Sequence, residues 1–259
     1  MRTTALVTAV LGGAALLVGL AAAPASAQPV AHATVHTAHT TAAPHGSFAP
    51  FHAQAVHGHR VGGTFNQNGG NWSGYAATGS GFTSVSANWV EPSVTCNSSN
   101  DLYAPWVGID GYGSNSVEQT GVATDCSSGR PVYQAWYEMY PANPVYYSNA
   151  VSGGDSFTGK VTRSGTSYTL TITDNTKGWA RTVTKSFRGA NSSAEFILES
   201  PTAAYPRFGT VTFTGATING AALSSFGPVA LDASNSGGFE DHTSTISGGS
   251  TFSVTYSRE

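Results

Sequence analysis

From Trp72 to the end of the chain, short runs of strand-forming residues alternate with turn-forming residues, and this alternation limits the possible folds more than any other feature. The runs are rich in Val, Thr, Tyr, Phe and Trp, and Gly, Ser, Asn and Pro separate them. Short strands at intervals of about ten residues are typical of an antiparallel sandwich or barrel and argue against alternating strand and helix units. The predicted strands cover residues 72–78, 83–90, 103–110, 117–122, 132–139, 156–163, 167–174, 179–187, 194–199, 209–218 and 251–256.

Residues 1–27 have the features of a secretory signal peptide. Arg2 precedes an apolar run over residues 5–23, and residues 25–27 are Ala-Ser-Ala, the small-residue pattern that signal peptidase accepts. A membrane anchor is the weaker alternative, because glycines interrupt the run and no later segment is long enough to span a bilayer. We therefore expect a secreted, extracellular protein whose mature form has no membrane segment.

Residues 28–63 are rich in Ala, Thr, Pro and His, and they have too few large apolar residues to form a core. We interpret this stretch as a pro-segment or linker, followed by one catalytic domain over residues 64–259. Metal binding is the alternative, but the histidine spacings match no ligand motif and no acidic residue lies among them. Seven of the eight histidines lie here: His32, His36, His39, His45, His52, His57 and His59.

The rest of the chain is weakly anionic. Past residue 60 there are nine basic and fourteen acidic side chains, a net charge of −5, which excludes the basic footprint of a nucleic-acid-binding protein. Only 10% of all residues are charged, so the surface depends on hydroxyls and amides, whose polarity survives in acid. We see no long apolar surface stripe and expect a monomer.

The two cysteines, Cys96 and Cys126, are predicted to form a disulfide in the oxidising exterior. The closed loop of about thirty residues corresponds to about 3 kcal/mol of stabilisation by chain entropy. Two free buried thiols are the alternative.

Four of the predicted strands each have a face that carries catalytic or binding residue types. Their alternation places Glu195, Ile197 and Glu199 together; Trp106, Gly108 and Asp110; Val117, Gln119 and Gly121; and Gln134, Trp136, Glu138 and Tyr140. A concave surface that mixes aromatic rings with amides and carboxyls can hold an extended peptide or glycan. Ordinary solvent-facing positions with interfacial aromatic residues are the alternative.

Few catalytic chemistries are open to this chain. Past residue 60 the only histidine is His242, and no G-x-S-x-G turn accompanies it, which argues against a serine triad. Bonded cysteines exclude a thiol nucleophile, and we find neither a histidine cluster for metal nor a phosphate-binding loop. Carboxylate chemistry remains, with candidates Asp110, Glu138, Glu195 and Glu199.

Six segments occur in an order that is more specific than any one of them: "NWSGY", "FTSVSANWVEP", "APWVGIDGYGSNSVEQTGV", "YQAWYEMYP", "GDSFTGKV" and "AEFILESP". Together they resemble the glutamic peptidases, the eqolisin family of acid endopeptidases, from about Trp72 to Tyr256. The resemblance implies an all-β sandwich of two large antiparallel sheets, of the concanavalin-like jelly-roll type, with a substrate cleft on the concave sheet. It also implies peptide-bond hydrolysis without a metal or other cofactor.

Carried onto this sequence, the resemblance makes Gln119 and Glu199 the catalytic pair, whereas Glu195 is the first, non-catalytic glutamate of "AEFILE". Ionised Glu199 would activate water and return the proton to the leaving amine, and the amide of Gln119 would donate to the oxyanion. The chain departs from the family pattern at Gln134, where relatives carry an acidic residue. Six residues would line the groove or brace the pair: Trp72, Trp106, Asp110, Trp136, Glu138 and Tyr140.

Two other functions remain open at this stage. A concanavalin-like glycoside hydrolase would use Glu138 and Glu199 as acid and nucleophile and would not need Gln119. A non-catalytic module that binds glycan or protein would show binding without turnover. For the peptidase, we expect protein or peptide substrates and an inhibitory pro-segment whose histidines respond to acid.

Overall fold

The computed structural model describes residues 58–61 and 64–259. The predicted signal peptide and most of the predicted pro-segment therefore lie outside the described residues. Within the described part, the regular structure is almost entirely strand, and the helical structure is one 3₁₀ turn at Leu223–Phe226. The strands are β1 (Gly58–Val61), β2 (Thr64–Asn68), β3 (Trp72–Thr78), β4 (Ser84–Val90), β5 (Leu102–Ile109), β6 (Val117–Asp125), β7 (Val132–Tyr140), β8 (Val145–Tyr146), β9 (Ser156–Ser164), β10 (Ser167–Asp174), β11 (Trp179–Ser186), β12 (Ser193–Glu199), β13 (Thr210–Ile218), β14 (Ala221–Ala222), β15 (Val229–Asp232), β16 (Ser234–Asn235), β17 (Gly238–Phe239), β18 (Asp241–Thr243) and β19 (Phe252–Tyr256).

Two large sheets contain nearly all of these strands. Sheet I has nine strands in the order β1-β2-β15-β3-β12-β5-β6-β7-β8, and sheet II has eight, β11-β10-β9-β4-β13-β19-β18 with β14 beside β13. The pairs are antiparallel except for β2 with β15, which is parallel. This confirms the prediction of an all-β fold with two large antiparallel sheets.

The long strands agree closely with the sequence pattern. The bounds of β3 and β10 are those predicted, and β6 continues to Asp125, beyond the predicted end at residue 122. The pattern missed the short strands β1, β2, β8 and β14 to β18, because two to five residues are too few to show an alternation of their own. One of them, β1, falls inside the stretch predicted as pro-segment, so sheet I begins before the predicted boundary at residue 64.

Successive residues of sheet I belong to two different hydrophobic clusters. In β12, Phe196 and Leu198 pack in the large cluster between the sheets, together with residues of sheet II such as Phe157, whereas Ile197 packs in a second cluster. Because successive side chains point to opposite faces of a strand, this second cluster lies on the face of sheet I turned away from sheet II. We call it the tryptophan face, after Trp72, Trp106 and Trp136.

Cys96 and Cys126 form a disulfide with an S–S distance of 2.03 Å, which confirms the predicted pairing. The bond ties the segment after β4 to the end of β6, and neither of the chain's two cysteines is free. None of the helices in the described residues is long and apolar enough to cross a membrane.

Candidate active site

The strand register of sheet I brings the predicted site residues other than Asp110 onto the tryptophan face. Three rows of residues run across the strands between β3 and β7 of sheet I, and residues directly opposite one another share a face. The rows are Glu199 opposite Trp72 and Ala104; Ile197 opposite Trp106, then Gly121 and Trp136; and Glu195 opposite Gly108, then Gln119 and Glu138. Tyr140 lies opposite Val117 at one end of this face and is partly buried against the same cluster.

Glu199 is held from two sides. The side-chain amide of Asn71 donates to its Oε1 at 3.1 Å, and the indole N–H of Trp106 donates to its Oε2 at 3.1 Å. Its side chain is fully buried, and burial raises its pKa well above the usual value for a glutamate, with the negative charge of Glu138 adding to the effect. Hydrogen bonds from Trp106, Asn71 and Trp72 lower the pKa in part. The carboxyl therefore keeps its proton at a pH where an exposed glutamate would have lost it.

Gln119 is also fully buried, and its Nε2 donates to Oε2 of Glu138 at 2.8 Å. This bond fixes the orientation of the amide. The negative charge of Glu138 also raises the pKa of Glu199. Glu138 therefore interacts with Gln119 by a hydrogen bond and with Glu199 by charge, and the three residues come from three different strands.

Two glycines make room for Trp106 on this face. A Cβ at Gly108 would lie 2.9 Å from Cζ3 of Trp106 and 3.2 Å from Cβ of Gln119. A Cβ at Gly121 would lie 2.7 Å from Cβ of Trp106. The indole also packs edge-on against Trp72, with ring centroids 5.0 Å apart. The ring has this space because its own strand β5 carries Gly108 and the neighbouring strand β6 carries Gly121.

The structure does not bring Asp110 to the tryptophan face, and the predicted alternation Trp106, Gly108, Asp110 is wrong at its last member. Strand β5 ends at Ile109, and Asp110 has a left-handed φ of 65°, which breaks the alternation. Its carboxylate instead accepts hydrogen bonds from the backbone N–H of Asn191 at 2.7 Å and of Ser192 at 2.8 Å. Asp110 therefore braces the start of β12.

Three residues near this face were not predicted from the sequence. Asn71 holds Glu199, and Tyr112 donates its backbone N–H to Oε1 of Glu195 at 3.2 Å. Tyr146 lies opposite Trp136, and burial together with the charge of Glu138 raises its pKa. Asn71 could have been predicted, because it belongs to the "NWSGY" segment. No strand pattern marks the other two, because Tyr112 follows a loop glycine and Tyr146 lies in a strand of two residues.

Glu195 is a second buried carboxyl of β12. Burial raises its pKa well above the usual value, and bonds from Ser193 and Tyr112 lower it in part. Among the residues that the structure describes, no group of three or more His, Cys, Asp and Glu side chains is placed to hold a metal ion. The chemistry that this arrangement offers is that of a neutral amide and buried carboxyls.

The comparisons with known proteins identify the family of this chain. The model of the Peptidase A4 family matches residues 70–256. Aspergillopepsin-2 of Aspergillus niger is 31% identical over 235 residues, which cover 76% of this chain and 81% of that protein.

Two solved structures are also similar. Scytalido-glutamic peptidase with a transition state analog inhibitor superposes with a TM-score of 0.65 at 28% identity, covering 73% of this chain and 98% of that one. SCP-B, a member of the eqolisin family of peptidases in complex with the tripeptide Ala-Ile-His, superposes with a TM-score of 0.61 at 27% identity and the same coverage. The resemblance found in the sequence is confirmed: the chain belongs to the Peptidase A4 (eqolisin) family and is a glutamic-type endopeptidase.

Proposed function

We propose that the protein is a secreted acid endopeptidase in which Gln119 and Glu199 act as a pair on extended protein substrates. The observation that carries the proposal is that the two residues, from the non-adjacent strands β6 and β12, share one face of sheet I, where Glu138 bonds to Gln119 and its charge raises the pKa of Glu199. Family membership favours this function over the glycoside hydrolase and the non-catalytic module.

The roles follow from what each group can donate or accept. An ionised Glu199 removes a proton from the attacking water and later delivers it to the nitrogen of the leaving amine. A glutamine has no proton to lose at these pH values, so Gln119 cannot be the base, but its N–H stabilises the oxyanion and its carbonyl positions the water. Asn71 and Trp106 hold the two carboxylate oxygens of Glu199, so the base has one orientation.

The raised pKa of Glu199 makes one group suitable for both steps. A general base that must return its proton works best when its pKa is close to the working pH. Burial and the charge of Glu138 raise the pKa of Glu199, so the carboxylate binds the proton taken from water more strongly than an exposed glutamate would.

Hydrolysis of denatured casein by the acid-treated protein tests the pair. We expect Glu199→Ala to abolish cleavage and Gln119→Ala to lower the rate by about 10²–10³-fold, the usual effect of removing an oxyanion donor. Cleavage by the wild type should persist with pepstatin and with serine, thiol and chelating inhibitors present together. Full activity of Gln119→Ala would overturn the paired mechanism and favour a carboxylate pair such as Glu138 with Glu199.

We further propose that residues 1–27 direct secretion and that the histidine-rich pro-segment inhibits the domain near neutral pH. The disulfide supports an oxidising, extracellular location. The predicted pro-segment includes β1, at the edge of sheet I, and it carries seven histidines, whereas the chain past residue 60 has a net negative charge.

Histidines charge near pH 6.5 and carboxyls lose their charge near pH 4, so the attraction between pro-segment and domain weakens only in acid. Replacing the seven histidines with glutamine should therefore change the pH at which the precursor is processed. N-terminal sequencing of the secreted product locates both cleavage points. An unchanged activation profile would exclude the histidine mechanism.

A further inference from the structure

Two carboxyl groups and a phenol meet on the side of sheet I opposite the tryptophan face. A Cβ at Gly189 would lie 2.6 Å from Oδ2 of Asp110, 2.6 Å from the hydroxyl of Tyr168 and 2.9 Å from Oε2 of Glu118. Both carboxyl residues are fully buried. The three oxygen atoms thus surround one point, and a larger residue at position 189 would displace them.

Asp110 connects this cluster to the start of β12. Two backbone N–H groups, those of Asn191 and Ser192, donate to its carboxylate. The backbone N–H of Asp110 also donates to the carbonyl of Ser193, the first residue of β12, at 3.0 Å. Asp110 therefore bonds to three successive residues at the start of this strand.

Glu118 carries the proton. Burial raises its pKa to about 8, with the charge of Asp110 as the next cause, and interactions with Ser116 and Tyr168 lower it in part. Within the described residues neither carboxyl forms an ion pair with a basic side chain.

The charged and titratable groups around this cluster come from four elements. Tyr168 lies on β10 and Asp110 follows the end of β5. On β12, the charges of Asp110 and Glu118 raise the pKa of Glu195, and on β9 the charge of Arg163 lowers the pKa of Tyr168. Tyr168 donates its hydroxyl to Oδ1 of Asn191 at 2.6 Å. Arg188 lines the adjoining surface pocket.

We propose that protonated Glu118 and its neighbour Asp110 form a clamp between the strand of Gln119 and the strand of Glu199. Glu118 directly precedes Gln119 in β6, and Asp110 holds Asn191 and Ser192, which directly precede β12. Loss of the Glu118 proton adds a negative charge beside Asp110 in a buried site and opens the clamp. Glu118 and Asp110 are then positioning residues that restrict the folded, active form to acidic solution.

The sign of the effect follows from proton linkage. Below about pH 4.5, Glu118 is protonated in both the folded and the unfolded chain and has no effect on the pH dependence. Above that pH the unfolded chain releases the proton while the folded chain keeps it until about pH 8. Stability therefore falls as pH rises through this window, and the unfolding constant increases by about tenfold per pH unit for this one proton.

Urea unfolding of the full chain between pH 5 and 7.5 tests the clamp without a substrate. We expect the slope of the logarithm of the unfolding constant against pH to be smaller by about one in Glu118→Gln than in the wild type. Asp110→Asn removes the neighbouring charge and should also reduce the slope, whatever its effect on the absolute stability. Asp174→Asn, an isosteric change of a buried carboxyl on β10, is the matched control and should keep the wild-type slope.

Unchanged slopes in both Glu118→Gln and Asp110→Asn would overturn the proposal. The positioning role rests on the proposed function and needs a second readout, the pH profile of kcat/KM. Glu118→Gln should extend activity to higher pH and leave the acid limb of the profile in place. A reduced slope with an unmoved alkaline limb would refute the positioning role, whereas a failure of the Gln119 and Glu199 pair would leave the unfolding slopes as they are.

Discussion

The central strands of sheet I and the outer strands of sheet II are built from similar residues but are buried differently. Every residue of β5, β6 and β12 is buried, on both faces, whereas β10 is buried only at alternate residues. The outward positions of β10 carry threonines, and the inward ones carry residues such as Leu170 and Ile172. A strand with one solvent-exposed face contributes to the core through its other face only. A strand that is buried on both faces can also hold polar groups away from water.

This difference controls the chemistry of the carboxyl groups. Strands β6 and β12 carry Glu118, Glu195 and Glu199, and burial raises the pKa of all three. Desolvation of this size needs cover from both sides of the sheet, which the cluster between the sheets and the tryptophan face provide together. Acid chemistry in this fold therefore depends on packing as much as on the carboxyls themselves.

The largest expected effect comes from replacing the proposed base, Glu199, on the fully buried strand β12. Glu199→Gln keeps the shape but cannot take a proton, so kcat should fall by on the order of 10⁴-fold. The folded pKa of Glu199 is raised, so its ionisation costs stability as pH rises above about 4.5, and the amide should make the protein more stable near pH 7. Casein hydrolysis and urea unfolding at two pH values check both parts. Lower stability at pH 7 would contradict the burial argument.

Variants of two adjacent residues of β12 test the two faces of sheet I separately. Leu198→Ala and Ile197→Ala should each lower the free energy of unfolding by about 2–5 kcal/mol, because both side chains are fully buried. Only Ile197→Ala should also lower kcat/KM at a temperature where both variants are folded, since Ile197 lies on the tryptophan face. Equal activity of the two variants would mean that this face does not contribute to catalysis.

A smaller effect is expected from removing the indole donor to Glu199. Trp106→Phe keeps an aromatic ring but loses the 3.1 Å bond that lowers the pKa of Glu199, so that pKa should rise further. A hydrogen bond to a charged group contributes about 1.5–3 kcal/mol, so we expect roughly a tenfold loss in kcat/KM and a shift of its acid limb to higher pH. Trp179→Phe on β11, which removes an indole bond to the carbonyl of Ala150, is the control and should keep the wild-type profile.

The smallest effect is expected from a substitution on the solvent-exposed face of sheet II. The hydroxyls of Thr171 and Thr182 lie 3.1 Å apart across β10 and β11, near solvent. Thr171→Val should change the free energy of unfolding by about 1 kcal/mol or less and leave casein hydrolysis unchanged. A marked loss of activity in this variant would mean that sheet II also takes part in the site.

Long, regular strands could be predicted from the sequence because alternation over seven or more residues is a strong local signal. The bounds of β3 and β10 were predicted correctly, and so were the faces of Gln119, Glu138 and Glu199. The prediction was wrong for Asp110, where one left-handed residue ends the alternation. It also missed β8 and with it Tyr146, because a strand of two residues forms only against a neighbour already in place.

The sequence by itself determined the all-β class, the disulfide, the family and the list of residues able to do carboxyl and amide chemistry, because period-two patterns and side-chain types are local properties. The tertiary structure decided which of those residues meet. The pairing of β12 with β3 and β5 brings Asn71 and Trp106 to Glu199, and the meeting of Glu118 with Asp110 depends on how β6, β10 and the start of β12 pack. Contacts between distant segments, and the pKa shifts that burial causes, arise only when the sheets close on each other.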